Sequence, residues 1–311
     1  MQADPTVLAV VVNWNGGAIL RESVDSLLSS DYGRLAIWVV DNGSTDDSMT
    51  GLPASITQLL CTRNLGYSGA INHAVESAFA GTRPACPPDY FLILNNDLRV
   101  EPETVSQLIS FSLRSGSRIV GPQVLNSQQD KLLEAAWGAV TWSHVLCRFY
   151  GKGAQVGPRW ITDQPVEVLL GSALLIHRSV FEQVGRFDEQ YFMYHEEVDF
   201  LYRANQRGIP AYFCSTASVI HRGGYSTRSK PSKKVYWVRR NAALFLRKHQ
   251  AKPLQWAYYW ITLSSSILFN LLLLRWQRIR TILSAVGEGL NIEIEEPGGF
   301  LKRSAGNGDN N

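Results

Sequence analysis

Four apolar residues, Phe91 to Leu94, run without a break into Asn95, Asn96 and Asp97, and a helix start follows at Pro102. A strand that ends in polar side chains fits an open α/β sheet, in which ligands sit beyond the carboxyl ends of the strands. A carboxylate placed there, beside two amides, is suited to hold a divalent cation against a phosphate, because hard cations take oxygen ligands. Asn and Asp also favour ordinary turns. Taken alone, the stretch leaves a polar turn after a buried strand as the alternative.

The segments before it share the pattern. VLAVVV at 7–12 has the run of a buried strand, Leu20, Val24, Leu27 and Leu28 follow at helical spacing, and AIWVV at 36–40 is a second strand. Strand, helix, strand opens a right-handed βαβ unit with a parallel sheet. Both strand ends are polar: NWNG spans Asn13 to Gly16, and DNGSTDDS spans Asp41 to Ser48. Asp41 arrives directly after Val40, where a carboxylate can accept hydrogen bonds from a ribose or a pyrimidine imide, with Asn42, Gly43 and Ser44 forming the turn beside it. The alternative is an Asx turn capping a further helix, with Asp46 and Asp47 in its first turn. A short strand at 56–60 leads to a helix with Ser68 as cap, an inner face of Ile71, Val75, Ala78 and Phe79, and an end at Gly81. Arg63, Asn64 and Gly66 precede this helix, whose free amides would welcome a phosphate.

RIVGP at 118–122 reads as a further strand, after which periodicity fades to residue 165. Trp137, Trp142, Phe149, Tyr150 and Trp160 accumulate there, fit either to line a sugar site or to fill a satellite core. Between Val166 and Gly208 come an apolar strand carrying Gly171, a short helix closing at Gly185, and an aromatic loop, Phe187 to Tyr194, that enters a helix at His195. Glu196, Glu197 and Asp199 lie in that helix's first turn, where negative charge is favoured. Asp199 and Arg203 are spaced to pair along the helix, which leaves the two glutamates without an evident local partner. In an aromatic pocket such a carboxylate has a raised pKa and can act as a general base; otherwise it is solvated helix charge. His221 precedes Gly223 and Gly224, which permit close backbone approach to a ligand, so it is either a metal or phosphate contact or a surface histidine. The helix that follows places Val235, Val238, Ala242, Phe245 and Leu246 on one face and its basic residues elsewhere.

A net charge of +3 conceals a strong asymmetry: from Phe200 to Gly287 there is no Asp or Glu, against fifteen Lys and Arg. Such a surface attracts phosphates, nucleic acid or an acidic lipid leaflet. Within it, residues 254–274 carry no charge and reach the length of a membrane span, with RWQRIR after them. Three consecutive serines, Gln255 and Asn270 weaken a span and favour an interfacial contact, with aromatic residues at headgroup level. Basic residues beside a membrane-like stretch, without a stacking platform, argue against nucleic acid. Four cysteines without CxxC spacing and an N-terminus without a secretory signal fit a reducing cytoplasm, and the apolar and basic stretch leads one to expect a cytoplasmic protein, peripheral at the inner face of the cell membrane. The tail from Gly287 is expected to be disordered.

The ordered set VVNWNG, DNGSTDDS, NLGYSGAIN, LNND, FDEQYFMYHEEVDFLYR and HRGGYS resembles the inverting glycosyltransferases of family two, especially their bacterial rhamnosyltransferase-like members, over roughly residues 6–250. The resemblance implies a GT-A fold: an α/β architecture with a mixed, mostly parallel sheet flanked by helices. Its domain would span 1–250, with a nucleotide-sugar half at 1–122 and an acceptor half at 123–250. A helical membrane-associating extension at 251–286 and a disordered tail at 287–311 would follow. By the same resemblance Asn13 and Asp41 contact the nucleoside, with Gly43 and Ser44 in the adjoining turn, and Asn64 and Asn72, the ends of the third motif, bind substrate too. Asn95, Asn96 and Asp97 stand at the Asp-x-Asp position, so Asp97 binds Mg or Mn bridging the diphosphate, and His221 approaches that metal. Glu197 falls at the catalytic base, with Glu196 the other candidate. Two departures stand out: Asn95 replaces the first acid of the metal motif, and the base is Glu rather than Asp.

The implied substrates are a nucleotide-sugar donor, with rhamnose from dTDP favoured, and a saccharide or polyprenyl-diphosphate-linked acceptor in surface polysaccharide assembly. A sugar-nucleotide nucleotidyltransferase would instead open with a basic glycine-rich phosphate loop, which NWNG is not. A non-catalytic scaffold of the same fold would have no reason to keep Asp41, Asp97, Glu197 and His221 together.

Overall fold

A computed structural model describes residues 4–81, 87–127, 132–160, 162–222 and 231–299. The chain opens with β1 (Val7–Asn13), α1 (Ala18–Leu28), β2 (Leu35–Asp41), β3 (Thr57–Leu60) and α2 (Gly66–Phe79). Next come β4 (Tyr90–Asn95), β5 (Leu98–Val100), α3 (Thr104–Ser115), β6 (Ile119–Asn126), β7 (Leu133–Ala135), β8 (Gly138–Val140), β9 (Cys147–Phe149) and β10 (Gln164–Val166). The rest is β11 (Ala173–His177), α4 (Arg178–Val184), α5 (Glu196–Gln206), β12 (Ala211–His221), α6 (Pro231–Lys248), α7 (Pro253–Leu272) and α8 (Trp276–Asn291).

One sheet carries the order β10-β12-β6-β11-β4-β1-β2-β3, with β5 paired to β12 and β7 to β6. β1 through β4 are mutually parallel, and β11 inserts antiparallel between β4 and β6. This is the mixed, mostly parallel α/β sheet that the sequence implies. Side chains alternate across it. Val10, Trp38 and Ile93 face a core with Ile71 and Val75 of α2 and Phe181 and Phe200 of α4 and α5. Val11, Val39 and Leu92 face Leu20 and Val24 of α1 and Val105 and Leu108 of α3. Burial on both faces is why these strands read as unbroken apolar runs.

Several local expectations change. Leu28 is exposed, and α1 buries Leu20, Val24 and Leu27 instead. No helix follows Asp46 and Asp47, and Asp46 accepts hydrogen bonds from Gly17 N and from Ser48. α2 begins at Gly66, so Ser68 lies inside it and does not cap it. Gly171 lies in the turn before β11. The stretch 123–165 holds β7 to β10 in pieces of three residues, too short to show a period. The expected halves 1–122 and 123–250 share this sheet, since β6 crosses residue 122 and β4 pairs with β11.

A third core lies beyond the sheet. Ala242, Phe245 and Leu246 of α6, Tyr259 and Leu263 of α7, and Ile282 and Val286 of α8 meet Val198 of α5 and Leu146 and Val168. Here the basic residues do not sit apart from the apolar face: Arg239 and Arg240 are buried. Arg240 pairs with Glu288, and Lys248 reaches Asp188 at 2.6 Å and Asp199 at 2.8 Å. Part of the positive charge of the acid-free region is therefore spent inside the protein, while Arg207, Arg222, Lys233, Lys234, Lys252, Arg275, Arg278 and Arg280 stay exposed. Residues 287–291 are helical, and Ile292 and Ile294 pack against this core, so the expected disorder does not begin at Gly287. Residues 300–311, and with them the end of the expected tail, lie outside the described residues. Among the described residues no helix is long and apolar enough to cross a membrane.

Candidate active site

Strand register gathers the polar residues at one edge of the sheet. Asn13 pairs with Asp41 across β1 and β2, and Val12 pairs with Asn95 across β1 and β4, so three strand ends stop level. Asn96 and Asp97 then form a two-residue turn into β5. β5 pairs antiparallel with β12, Leu98 opposite His221, and this places the histidine beside Asp97. Because β11 runs against β4, its beginning lies at the same edge: Asn95 N donates to Ser172 O at 3.0 Å. A cavity of about 610 Å³ opens over this edge, lined by Asn42, Asn64, Tyr67, Asn95, Asn96, Asp97, Glu134, Gly171, Glu196, Glu197 and His221, among others.

The two glutamates enter the cavity from the start of α5. The loop before them is held in an unfavourable backbone region: Phe192, Tyr194 and His195 have φ of 57°, 66° and 69°, a cost that surrounding structure must offset. Asn241 of α6 does so. It is fully buried, and its Nδ2 lies 2.8, 2.9 and 2.7 Å from the carbonyls of Tyr191, Met193 and Tyr194. Asp199, one turn into α5, anchors the helix through Arg203 at 2.7 Å, Lys248 at 2.8 Å and His249 at 2.9 Å. Burial would raise its pKa, but Arg203 and the other cations outweigh that and hold it far below the usual range. The expected Asp199–Arg203 pair thus forms, as part of a larger network.

Glu196 and Glu197 are left without any such partner. One carboxylate oxygen of each is buried with no hydrogen bond. Burial, and then the charge of Glu197, pushes Glu196 well above the usual carboxylate range. Burial pushes Glu197 up to about 7, against backbone hydrogen bonds that pull it down. Glu196 is buried, whereas Glu197 keeps part of its surface open. A Cβ on Gly171 would lie 3.1 to 3.4 Å from the Glu197 side chain, so only glycine there leaves the carboxylate its room. Tyr67 Oη donates to the Gly171 carbonyl at 3.0 Å and fixes that wall.

Across the cavity His221 Nε2 lies 3.0 Å from Asp97 Oδ1, and its Nδ1 lies 2.5 Å from Glu134 Oε2. Burial lowers the imidazole's pKa, but hydrogen bonds and charge from Asp97 and Glu134 outweigh it and push it up to about 10. Among the described residues no group of three or more His, Cys, Asp or Glu is placed to hold a metal ion. Asp97 alone still fits a cation that takes its remaining ligands from a diphosphate, as Mg commonly does; His221 would add a ligand only on giving up the proton that Asp97 and Glu134 hold on it.

The remaining expected residues divide. Asn64 lines the cavity and holds the loop before α2, its Oδ1 accepting from Gly66 N at 2.8 Å. Asn13 is fully buried, and its amide is spent on Ser48 at 2.9 Å, Ser44 at 3.2 Å, Asp41 at 3.3 Å and Asn96 at 2.8 Å; it ties the strand ends together and has no surface for a nucleoside. Asp41 and Ser44 sit in this net, outside the cavity wall. Gly43 has φ of 72°, and a Cβ on it would come within 2.7 Å of the Arg63 backbone, so it lets two loops touch. Asn72 is not brought to the cavity: it is buried, bonding the Phe187 carbonyl and Glu189 at 2.9 Å each and accepting from Phe187 N at 3.0 Å. Nor are the first amides before and within α2 free for phosphate. Leu65 N is taken by Asn42, Gly66 N by Asn64 and Tyr67 N by the Phe192 carbonyl. Gly223 and Gly224 lie outside the described residues.

Residues 8–185 match the family described as Glycosyl transferase family 2. The chain belongs to that family. It is 28% identical over 277 residues to the N-acetylglucosaminyl-diphospho-decaprenol L-rhamnosyltransferase of Mycobacterium tuberculosis, covering 79% of this chain and 87% of that protein. It is also 28% identical over 237 residues to the low-salt glycan biosynthesis hexosyltransferase Agl10 of Haloferax volcanii, covering 76% and 73%. Among solved structures, GalNAc-T7 with UDP, GalNAc and Mn2+ superimposes with a TM-score of 0.58 at 16% identity, over 81% of this chain and 52% of that one. S. aureus TarS 1-349 with UDP-GlcNAc gives 0.52 at 15%, over 77% and 66%. At these identities the two structures speak for the fold alone, and the family 2 chain is a glycosyltransferase on that fold.

Sequence reasoning passed over Asn42, Tyr67, Gly171, Glu134 and Asn241 as site residues. Asn42 and Tyr67 were visible inside motifs. Glu134 sits in the stretch without periodicity and Asn241 inside a helix, and neither carries a local signal.

Proposed function

We propose that the protein is an inverting glycosyltransferase that moves a sugar, rhamnose in the favoured reading, from a nucleotide diphosphate sugar to a hydroxyl of a saccharide or lipid-linked acceptor. The observation that carries this is the pair of glutamates without a cationic partner, one carboxylate oxygen of each buried and unbonded, with the pKa of Glu197 pushed up to about 7, facing Asp97 across one cavity. An ionised Glu197 accepts the proton of the acceptor hydroxyl as oxygen attacks the anomeric carbon from the side opposite the leaving nucleoside diphosphate. One bond forms, one breaks, and configuration inverts. Burial and the charge of Glu197 push the Glu196 carboxyl well above the usual range, which favours its neutral form beside the base. Asn42 and Asn64 lie at the nucleoside end, Asn95 and Asn96 beside the diphosphate. Asp97 and His221 would hold Mg or Mn, which when bound neutralises the departing diphosphate.

A relative that acts on a decaprenyl-diphosphate sugar supports a lipid-linked acceptor for this chain. So does the α7–α8 hairpin. Leu272 and Leu274 are more than two-thirds exposed, and Phe269 and Trp276 more than half, close in sequence to Arg275, Arg278 and Arg280. Apolar and basic surface together suit an anionic membrane interface.

Thermal stability with UDP, dTDP and GDP, each with and without manganese, tests the donor site. Ligand at a hundred times its dissociation constant adds roughly 2.7 kcal/mol. A manganese-dependent rise with one nucleotide, lost in Asp97→Ala, is expected; no rise with any of them contradicts the assignment.

A further inference from the structure

The cavity has a second wall that donor binding and proton transfer leave unused. It is made by Val145 in the loop before β9, by Phe149 of β9, by Lys152 just after it, and by Lys234 and Val238 of α6. Lys152 and Lys234 are the two lysines of the cavity lining, with no arginine among it, and both are exposed. Among the described residues neither is paired with a carboxylate, although Asp97, Glu134, Glu196 and Glu197 line the same cavity. Lys234 Nζ instead lies 5.5 Å from the centroid of the Tyr194 ring. Two unneutralised ammonium groups beside an apolar wall match a ligand that is both anionic and greasy.

The wall is also continuous with the exposed hairpin. His144 N donates to Thr262 Oγ1 of α7 at 3.1 Å, and Arg239 of α6 donates to the His144 carbonyl at 3.0 Å. The loop that carries Val145 into the cavity is therefore strutted by the helix that shows its apolar surface outside. We propose that Lys152 and Lys234 form an anion site on the acceptor side, which takes the diphosphate of a polyprenyl-diphosphate-linked acceptor while Val145, Phe149 and Val238 receive its first isoprene units. As point charges on flexible stems, lysines can follow a diphosphate whose sugar moves toward Glu197. The choice of acceptor rests on the transferase reading; the anion site itself does not.

The test is direct binding of farnesyl diphosphate and of farnesol, by titration calorimetry in magnesium buffer. The proteins are wild type, Lys152→Ala/Lys234→Ala, Lys152→Arg/Lys234→Arg and Asp97→Ala, each checked for an unchanged melting temperature. Farnesyl diphosphate should bind wild type and Asp97→Ala within threefold of each other, at least tenfold more weakly to the double alanine variant, and with recovery in the double arginine variant. Farnesol should bind far more weakly and not distinguish the variants. A double alanine variant within threefold of wild type overturns the proposal, as does binding lost in Asp97→Ala but kept without the lysines, which places the ligand at the donor end. No sugar transfer is needed for either result. A protein that binds through the lysines yet transfers nothing keeps the site and loses the transferase reading, and lysine-independent binding in an active transferase does the reverse.

Discussion

Glu197 depends on its surroundings for its chemistry. Burial raises its pKa from 4.5 to about 7, so as the proposed base it gains its ionised form near neutral pH. Transfer rate should therefore rise about tenfold per pH unit below 7 and level off above it, as read from initial rates between pH 5 and 9. The same shift acts on stability with the opposite sense. A carboxyl whose folded pKa lies above its unfolded value binds its proton more tightly when folded. Its stabilising effect is complete below pH 4.5 and is lost as pH rises to about 7. Glu197→Gln removes that loss. The variant should melt higher than wild type at pH 8, by an amount worth as much as about 3 kcal/mol before screening at the exposed edge, with the difference closing toward pH 4.5. Equal melting at pH 8 would mean that the carboxylate is solvated.

At the scale of elements, the site is a product of register and of one clamp. Register was legible: the apolar runs at 7–12, 36–40 and 91–94 end in Asn13, Asp41 and Asn95, and parallel pairing alone brings those ends level. The approach of His221 to Asp97 was not, because it requires β5 to pair with a strand more than a hundred residues later. The burial of Asn13 and Asn72 was not legible either, for a physical reason. A short amide can contact a ligand or satisfy buried backbone, and sequence carries no measure of burial to separate the two. Asn241 shows the same limit, since its partners are the carbonyls of a loop about 50 residues earlier. Asn241→Ala removes the amide that those carbonyls share, at about 1–3 kcal/mol for a buried polar group that loses its hydrogen bond, and loosens the positive-φ turn that precedes the glutamates. Expected outcomes are a lower melting temperature and a kcat at least tenfold down, with nucleotide affinity unchanged. A fall in nucleotide affinity alone would place Asn241 at the donor end instead.

Across the whole molecule, α6, α7 and α8 form a third core joined to the transferase sheet through α5, so the segment after residue 250 is built into the catalytic body. Composition revealed the absence of acids between 200 and 287 but not where the basic residues point. Arg239, Arg240 and Lys248 turn inward, and the surface charge near the exposed apolar elbow is carried by Arg275, Arg278 and Arg280. Cosedimentation with vesicles containing anionic phospholipid should capture the protein. Leu272→Glu/Leu274→Glu should release it while leaving its melting temperature unchanged, because both leucines are exposed. Binding that survives the double variant would move the contact elsewhere on the surface.

In the proposed reaction one carboxylate at the start of α5 performs the proton transfer of glycosyl transfer. Its most direct test compares wild type and Glu197→Gln for sugar transfer from dTDP-rhamnose to a polyprenyl-diphosphate-linked N-acetylglucosamine, with dTDP affinity measured on the same preparations. The predicted result is transfer by the wild type with inversion. The variant should bind dTDP within about threefold of wild type and lose two to four orders of magnitude in kcat, the range general-base catalysis supplies. A variant that keeps a tenth of wild-type turnover would contradict the assignment of Glu197.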